Sequence, residues 1–194
     1  MNQDVCRISI DVETGGDISY PLLEIGASVV EDESLSFSAM IKPDSLEFDR
    51  GALKAIRRPI EEFVESGIPL SLAVNQFLDW IDEVAVQKKL IFVGLNMPFD
   101  WMFFMVAVAK VRATHKLPHK AMDIASYGAG VFGDVLLLQG DVYLVKKIRV
   151  HAPELLHKYT LVKDEGRRHV GVDDAKRQGR LLLALEEYQR RKSG

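Results

Sequence analysis

The chain lacks the features that mark several large classes of protein. It has a single cysteine, Cys6, so no intramolecular disulfide forms and a disulfide-stapled secreted scaffold is excluded. Its N-terminus lacks the basic, then apolar, then small-residue order of a secretory signal, so a reducing, cytoplasmic setting is the expectation. The longest apolar run, residues 101–109, is too short to cross a bilayer. No membrane partner is expected, and the run reads as a buried helix. Positive charge is not in excess either, with 25 Lys and Arg against 28 Asp and Glu and a net charge of −3. A protein that grips many phosphates normally carries a basic field, and this chain has none. Internal repeats, low-complexity tracts and Gly/Ser linkers are missing too. The 194 residues suffice for one well-buried domain and are short for two, so a single domain over residues 1–194 is expected.

What is present is a legible order of elements. Residues 7–13 alternate: Ile8, Ile10 and Val12 face one side, and Arg7, Ser9, Asp11 and Glu13 the other. That is a strand of period two, broken by Thr14, Gly15 and Gly16. A second apolar run, residues 22–30, ends at Glu31-Asp32-Glu33-Ser34, and a third strand follows over residues 35–42. So short a connection predicts a hairpin. Helical patterning occupies residues 52–65 and 72–84, with Pro69 between them. Residues 90–94 read as a short buried strand, after which Asn96 caps a helix with Pro98 and Asp100 in its first turn. One more strand is expected at residues 119–123, a short helix from Ile124, and a final helix over residues 172–191. Residues 131–168 show no clear period. A meander of strands followed by strands alternating with helices predicts a mixed α/β sheet flanked by helices.

Four acids stand out by position. Asp11 and Glu13 project from one strand face beside the glycines that end it, well placed to share a divalent cation through oxygen ligands. A bare Asp-x-Glu is equally what a solvated strand face looks like. Asp100 sits at a helix N-terminus, where the dipole favours an acid in any case. On the last helix, Asp174 shares its face with Gln178, Leu181, Leu182 and Leu185, whereas Asp173 shares its face with Lys176, Arg177 and Arg180. Asp174 therefore faces the core and Asp173 faces water. An acid heading a buried stripe needs a partner, which a cap, an arginine or a metal can supply. Of the five histidines, His169 lies five residues before Asp174, and His115, His119, His151 and His157 show no ligand spacing.

Three blocks carry a family resemblance. They are Ile8-Ser9-Ile10-Asp11-Val12-Glu13-Thr14-Gly15-Gly16 with Leu22-Leu23-Glu24-Ile25-Gly26-Ala27, then Phe92 through Phe103, then His169-Val170-Gly171-Val172-Asp173-Asp174-Ala175. In order, spacing and local structure this chain resembles the DEDDh branch of the DnaQ-like 3′–5′ exonucleases. The resemblance implies a ribonuclease H-like fold and hydrolysis of phosphodiester bonds at the 3′ ends of single-stranded RNA or DNA. It implies Asp11, Glu13, Asp100 and Asp174 as ligands of two divalent cations, Mg²⁺ or Mn²⁺, and His169 as general base. The family's five-residue spacing from the histidine selects Asp174, as the helical face does. Thr14, Gly15 and Asn96 would lie against the terminal nucleotide. Two positions depart from the family's habit: Leu95 stands where a histidine is frequent before the asparagine, and Gly15 where a second threonine is frequent. Neither supplies a ligand, so the departures bear on substrate contacts and leave the chemistry intact.

The chemistry agrees with the electrostatics. Two carboxylates about 5 Å apart repel by roughly 3 kcal/mol at an effective dielectric near 20, so four in one pocket take up protons or cations. A histidine of ordinary pKa, about 6.5, would give activity rising from about pH 6 to 8. Phe99, Trp101, Phe103 and Phe104 are candidates for stacking on bases, although aromatics on a helix after a buried strand are more often core, and Trp101 is the most open case. Arg167-Arg168, Lys146-Lys147 and Arg190-Arg191-Lys192 would steer phosphates or simply be solvated. Two other roles fit the same fold: a catalytically silent nucleic-acid-binding scaffold and a phosphodiesterase on small nucleotides. Stand-alone relatives often pair, which leaves room for a homodimer, although no apolar stripe in the sequence demands one.

Overall fold

Period-two alternation at residues 7–13 becomes the central strand of a five-stranded sheet in the computed structural model, which describes residues 4–56, 58–118, 120–161 and 170–194. Strands β1 (Val5–Thr14), β2 (Leu22–Val29) and β3 (Asp32–Met40) form the antiparallel meander, and β4 (Lys89–Gly94) and β5 (Ala121–Asp123) add in parallel. The sheet order is β3-β2-β1-β4-β5. This is the mixed sheet that the order of elements predicts.

Each face of the sheet is covered by helices, because each face of β1 carries a different content. Ile8, Ile10 and Val12 pack into one core with α3 (Leu70–Val84) and α4 (Met97–Val111), around Phe77, Phe92 and Phe104. Ser9, Asp11 and Glu13 point to the opposite side by the alternation of the strand. There α8 (Gly171–Ser193) crosses β1, β2, β3 and β4. Leu181, Leu182 and Leu185 of α8 are fully buried in a second core. Burial of three such side chains contributes roughly 5–9 kcal/mol before chain entropy. Packing therefore holds α8 in place more than its own helical propensity does.

The hairpin between β2 and β3 is tighter than the sequence predicts, and β3 starts at Asp32. The Asp32 carboxylate accepts bonds from the Ser34 amide and hydroxyl in the turn. The early part of β3 is an exposed sheet edge, so it shows no apolar alternation to read. The single helix expected over residues 52–65 is two, α1 (Arg50–Ile56) and α2 (Ile60–Ser66). Pro59 explains the break: it lacks an N–H and disfavours helical backbone in the residue before it. Residues 124–158 fold as α5 (Ile124–Phe132), a 3-10 turn (Val135–Gln139), α6 (Asp141–His151) and α7 (Pro153–Lys158). These complete the layer beside α8. No helix among the described residues is long and apolar enough to cross a membrane.

Candidate active site

Where β4 stops, β1 runs on. The parallel pairing of the two ends at Ser9 opposite Val93, and β4 itself ends at Gly94. The Val12 amide, past that point, finds no strand, and donates instead to Asp100 Oδ1 at 2.9 Å. One carboxylate thus takes the place of the missing strand and is drawn, 4 % exposed, to the side of β1. Asn96 stands at the N-cap of the helix that carries it, as the sequence predicts, but its side chain does not do the capping. Asn96 adopts left-handed backbone, φ 56°, and its side chain makes no capping bond. The Met97 amide donates to Asp123 Oδ2 instead, at 3.0 Å. That cap reaches in from β5, and no local pattern announces it.

Asp174 arrives from the other side because two glycines let backbones touch. Gly26 of β2 pairs with Asp11 across the sheet. A Cβ built on Gly26 would stand 1.9 Å from the Gly171 carbonyl carbon, at the first turn of α8. The Gly171 amide also donates to Glu24 at 3.1 Å. Glu24 is 2 % exposed, sits opposite Glu13 in the sheet register, and pairs with Arg58 at 2.5 Å. Burial pushes the Glu24 carboxyl up, and Arg58 pulls it back toward the charged form. Glu24 belongs to the first sequence block without having been given a role there, and Arg58 lies outside the blocks. Their link is visible only in three dimensions.

The result is an open cleft of about 350 Å³ lined by Asp11, Val12, Glu13, Leu95, Asn96, Phe99, Asp100, Asp141, Asp174, Arg177 and Gln178. Asp11, Glu13 and Asp174 each offer a carboxylate oxygen, and these three atoms lie within 4.8 Å of one another. Asp100 borders the same cleft, with one oxygen occupied by Val12. Burial holds Asp11, Glu13 and Asp100 toward the neutral form, and repulsion within the cluster adds to it at Asp11 and Glu13. The Asp11 carboxyl is raised well above its ordinary value, first by burial and then by Asp100, Glu13 and Asp174. Glu13 is pushed up to about 8 by burial and by Asp174, Glu24 and Asp100. Asp100 is pushed up to about 7 by burial, against the bond from Val12. A cluster with hard oxygen donors and displaced protons suits a small divalent cation such as Mg²⁺ or Mn²⁺ better than a soft metal.

Other expected residues fall in mixed places. Asn96 lines the cleft. Thr14 ends β1 with its hydroxyl bonded to the Gly16 carbonyl at 2.8 Å, and Gly15 packs under Phe48, where a Cβ would meet Cδ1 at 2.7 Å. That crowding accounts for glycine at a position where threonine is frequent. Among the aromatics, Phe103 and Phe104 are core, Trp101 packs on Phe92 and Phe104, and Phe99 reaches the cleft wall. Asp173, expected to face water, borders a different cleft with Glu24, Arg58 and Glu62. Arg177, expected on the same solvated face, reaches the active-site cleft and pairs with Asp141. One helical turn separates Asp174 from Arg177, so both can address one opening. Lys147 pairs with Asp134, and Arg191 with Glu154 and Glu187. His169, Arg167 and Arg168 lie outside the described residues.

No family model matches the chain. A 3′–5′ DNA exonuclease, Cap18 of Escherichia coli, is 34% identical over 127 residues, covering 64% of this chain and 68% of that protein. Among solved structures, the nuclease domain of 3′hExo, a DEDDh family member bound to rAMP, aligns with a TM-score of 0.66 at 15% identity, over 96% of this chain and 94% of that one. E. coli Exonuclease I in complex with a dA16 oligonucleotide aligns with a TM-score of 0.67 at 14% identity, over 97% of this chain and 42% of that one. The Mg²⁺- and Mn²⁺-bound form of S. pombe Pop2p aligns with a TM-score of 0.63 at 12% identity, over 93% of this chain and 82% of that one. At these identities the structural likenesses speak for the fold, and the sequence relative for the family. With the acids of three separate elements gathered at one end of a β3-β2-β1-β4-β5 sheet, the chain belongs to the DnaQ-like family of 3′–5′ exonucleases.

Proposed function

We propose that the cleft removes nucleoside monophosphates one at a time from the 3′ end of a single-stranded nucleic acid. The observation that carries this reading is the approach of Asp11, Glu13 and Asp174 to within 4.8 Å at a cleft bordered by Asp100. These four carboxylates would hold two divalent cations. Bound there, the cations would supply charge stabilisation to the scissile phosphate and acidify the attacking water. The chain's own residues divide the remaining work. The Val12 amide holds the Asp100 carboxylate in one orientation at the side of the cleft. Arg177 brings positive charge to an otherwise acidic opening, and Phe99 and Asn96 shape the wall beside it. His169 would take the proton from water. The lack of a basic field over the chain supports a grip on few phosphates, and hence a single strand rather than a duplex.

The test is degradation of 5′-labelled single-stranded RNA and DNA with Mg²⁺, Mn²⁺ or EDTA, beside Asp11→Ala. The expected result is a metal-dependent ladder that shortens from the 3′ end and is absent in the variant. His169→Ala is expected to lose about 10²–10⁴ in rate and the rise in activity between about pH 6 and 8. Cleavage of a mononucleotide ester with oligonucleotides untouched would make the protein a small-nucleotide phosphodiesterase. Binding without cleavage under either metal would make it a scaffold.

A further inference from the structure

Gln178 interrupts the apolar stripe of α8. Its neighbours on that face, Leu181, Leu182 and Leu185, are fully buried, and Gln178 itself is 6 % exposed. A buried amide costs stability unless its groups are paired, so a residue chosen for packing alone would be apolar here. Both ends of this amide are in use. The Leu95 amide donates to Gln178 Oε1 at 2.9 Å, and Gln178 Nε2 donates to Asp11 Oδ1 at 2.6 Å. The first bond settles the orientation of the second. A backbone N–H can be accepted only by the carbonyl end, so the NH₂ end is turned to the carboxylate.

Gly94 packs beside this arrangement, and what its lack of a side chain spares is Met97. A Cβ there would stand 3.5 Å from Gln178 Oε1 and 2.7 Å from Met97 Sδ. One neutral side chain therefore ties together three acid-bearing segments: α8 with Asp174, β1 with Asp11, and the β4–α4 turn that leads to Asp100.

We infer that Gln178 is a positioning residue for the metal site, holding the Asp11 carboxylate by one oxygen so that the other is presented to the cation. The inference rests on the proposed metal-dependent reading of the cleft. Groups that orient a ligand from behind typically contribute 10- to 100-fold to metal affinity. Gln178 carries no charge, so it fixes Asp11 without adding a fifth acid or neutralising the first.

The test is a Mn²⁺ titration of the intact chain, followed by the paramagnetic resonance signal of the free ion, for wild type, Gln178→Met and Gln178→Asn. Methionine keeps the volume and loses both bonds. Asparagine keeps the amide and is too short to span Leu95 and Asp11. Thermal melts in EDTA establish that each variant is folded, and the asparagine variant stands in if the methionine one is not. Both variants are expected to bind Mn²⁺ 10- to 100-fold more weakly. Their half-activating Mn²⁺ concentration should rise in step, with most of kcat returning at saturating metal. A structural role alone would lower stability and leave the titration in place. Folded variants that titrate like wild type overturn the role of Gln178 and leave the site standing. A wild type that binds no Mn²⁺ overturns the site itself.

Discussion

Glu13 and Asp100 hold protons at pH values where an ordinary carboxylate does not, about 8 and about 7. In the unfolded chain both groups titrate near 4. Between roughly pH 4 and pH 8 the folded, metal-free protein therefore binds more protons than the unfolded one, and its stability falls as pH rises through that window. The expected outcome is a melting temperature in EDTA several degrees lower at pH 8.5 than at pH 6, at roughly 2–4 °C per kcal/mol for a chain of this size. Mg²⁺ binds the ionised acids, so its stabilising effect should be larger at pH 8.5 than at pH 6. A metal-free melting temperature that climbs over the same interval would refute the burial of these charges. These acids are legible in the sequence for simple reasons: period two places Asp11 and Glu13 on one face, and period 3.6 puts Asp174 on the face of Gln178, although it lines the cleft half-buried instead of entering the core. Phe99 is not, because residues 97–109 are apolar nearly all round and such a helix declares no face. The links from Arg58 to Glu24 and from Asp123 to Met97 are hidden as well, since they join residues 34 and 26 apart in the chain.

The contact between β2 and α8 sets the separation of Asp11 from Asp174. Gly26→Ala would place a methyl group where the Gly171 backbone stands, and backbone cannot rotate away as a side chain can. We expect a loss of about 3 kcal/mol or more, measured by urea unfolding, with loss of activity in the fraction still folded. Gly179→Ala, two turns further along α8, meets Val30 at an ordinary 3.6 Å and serves as the control, with a change below about 1 kcal/mol. An unaffected Gly26→Ala would mean that α8 can lift without cost. At this scale the sheet could be read from sequence and some helices could not. Pro59 interrupts a helical pattern that otherwise reads as continuous over residues 52–65, and α1 and α2 are its consequence. Residues 131–158 failed for a different reason. Val135, Leu136 and Leu138 in the 3-10 turn are exposed although apolar, so hydrophobicity there does not track burial and yields no period.

Across the molecule, a net charge of −3 predicts a shallow response to salt. If the substrate is held through two or three phosphates, log KM should rise with log[NaCl] with a slope of about 2. A slope above about 4 would mean an extended basic track, which the surface charges already paired on α6 and α8 do not provide. The bond between Asp100 and the Val12 amide ties the protein's abundance to its chemistry. Removing that side chain deletes a cleft acid and also strands a buried N–H, at about 1–3 kcal/mol. In a living cell a deficit of this size changes how much protein survives proteolysis. A strain carrying Asp100→Ala should therefore hold visibly less of the protein than one carrying Asp100→Asn, which keeps the acceptor. Immunoblotting of the two strains would show it, and a phenotype from the alanine allele alone would confuse a missing enzyme with an idle one.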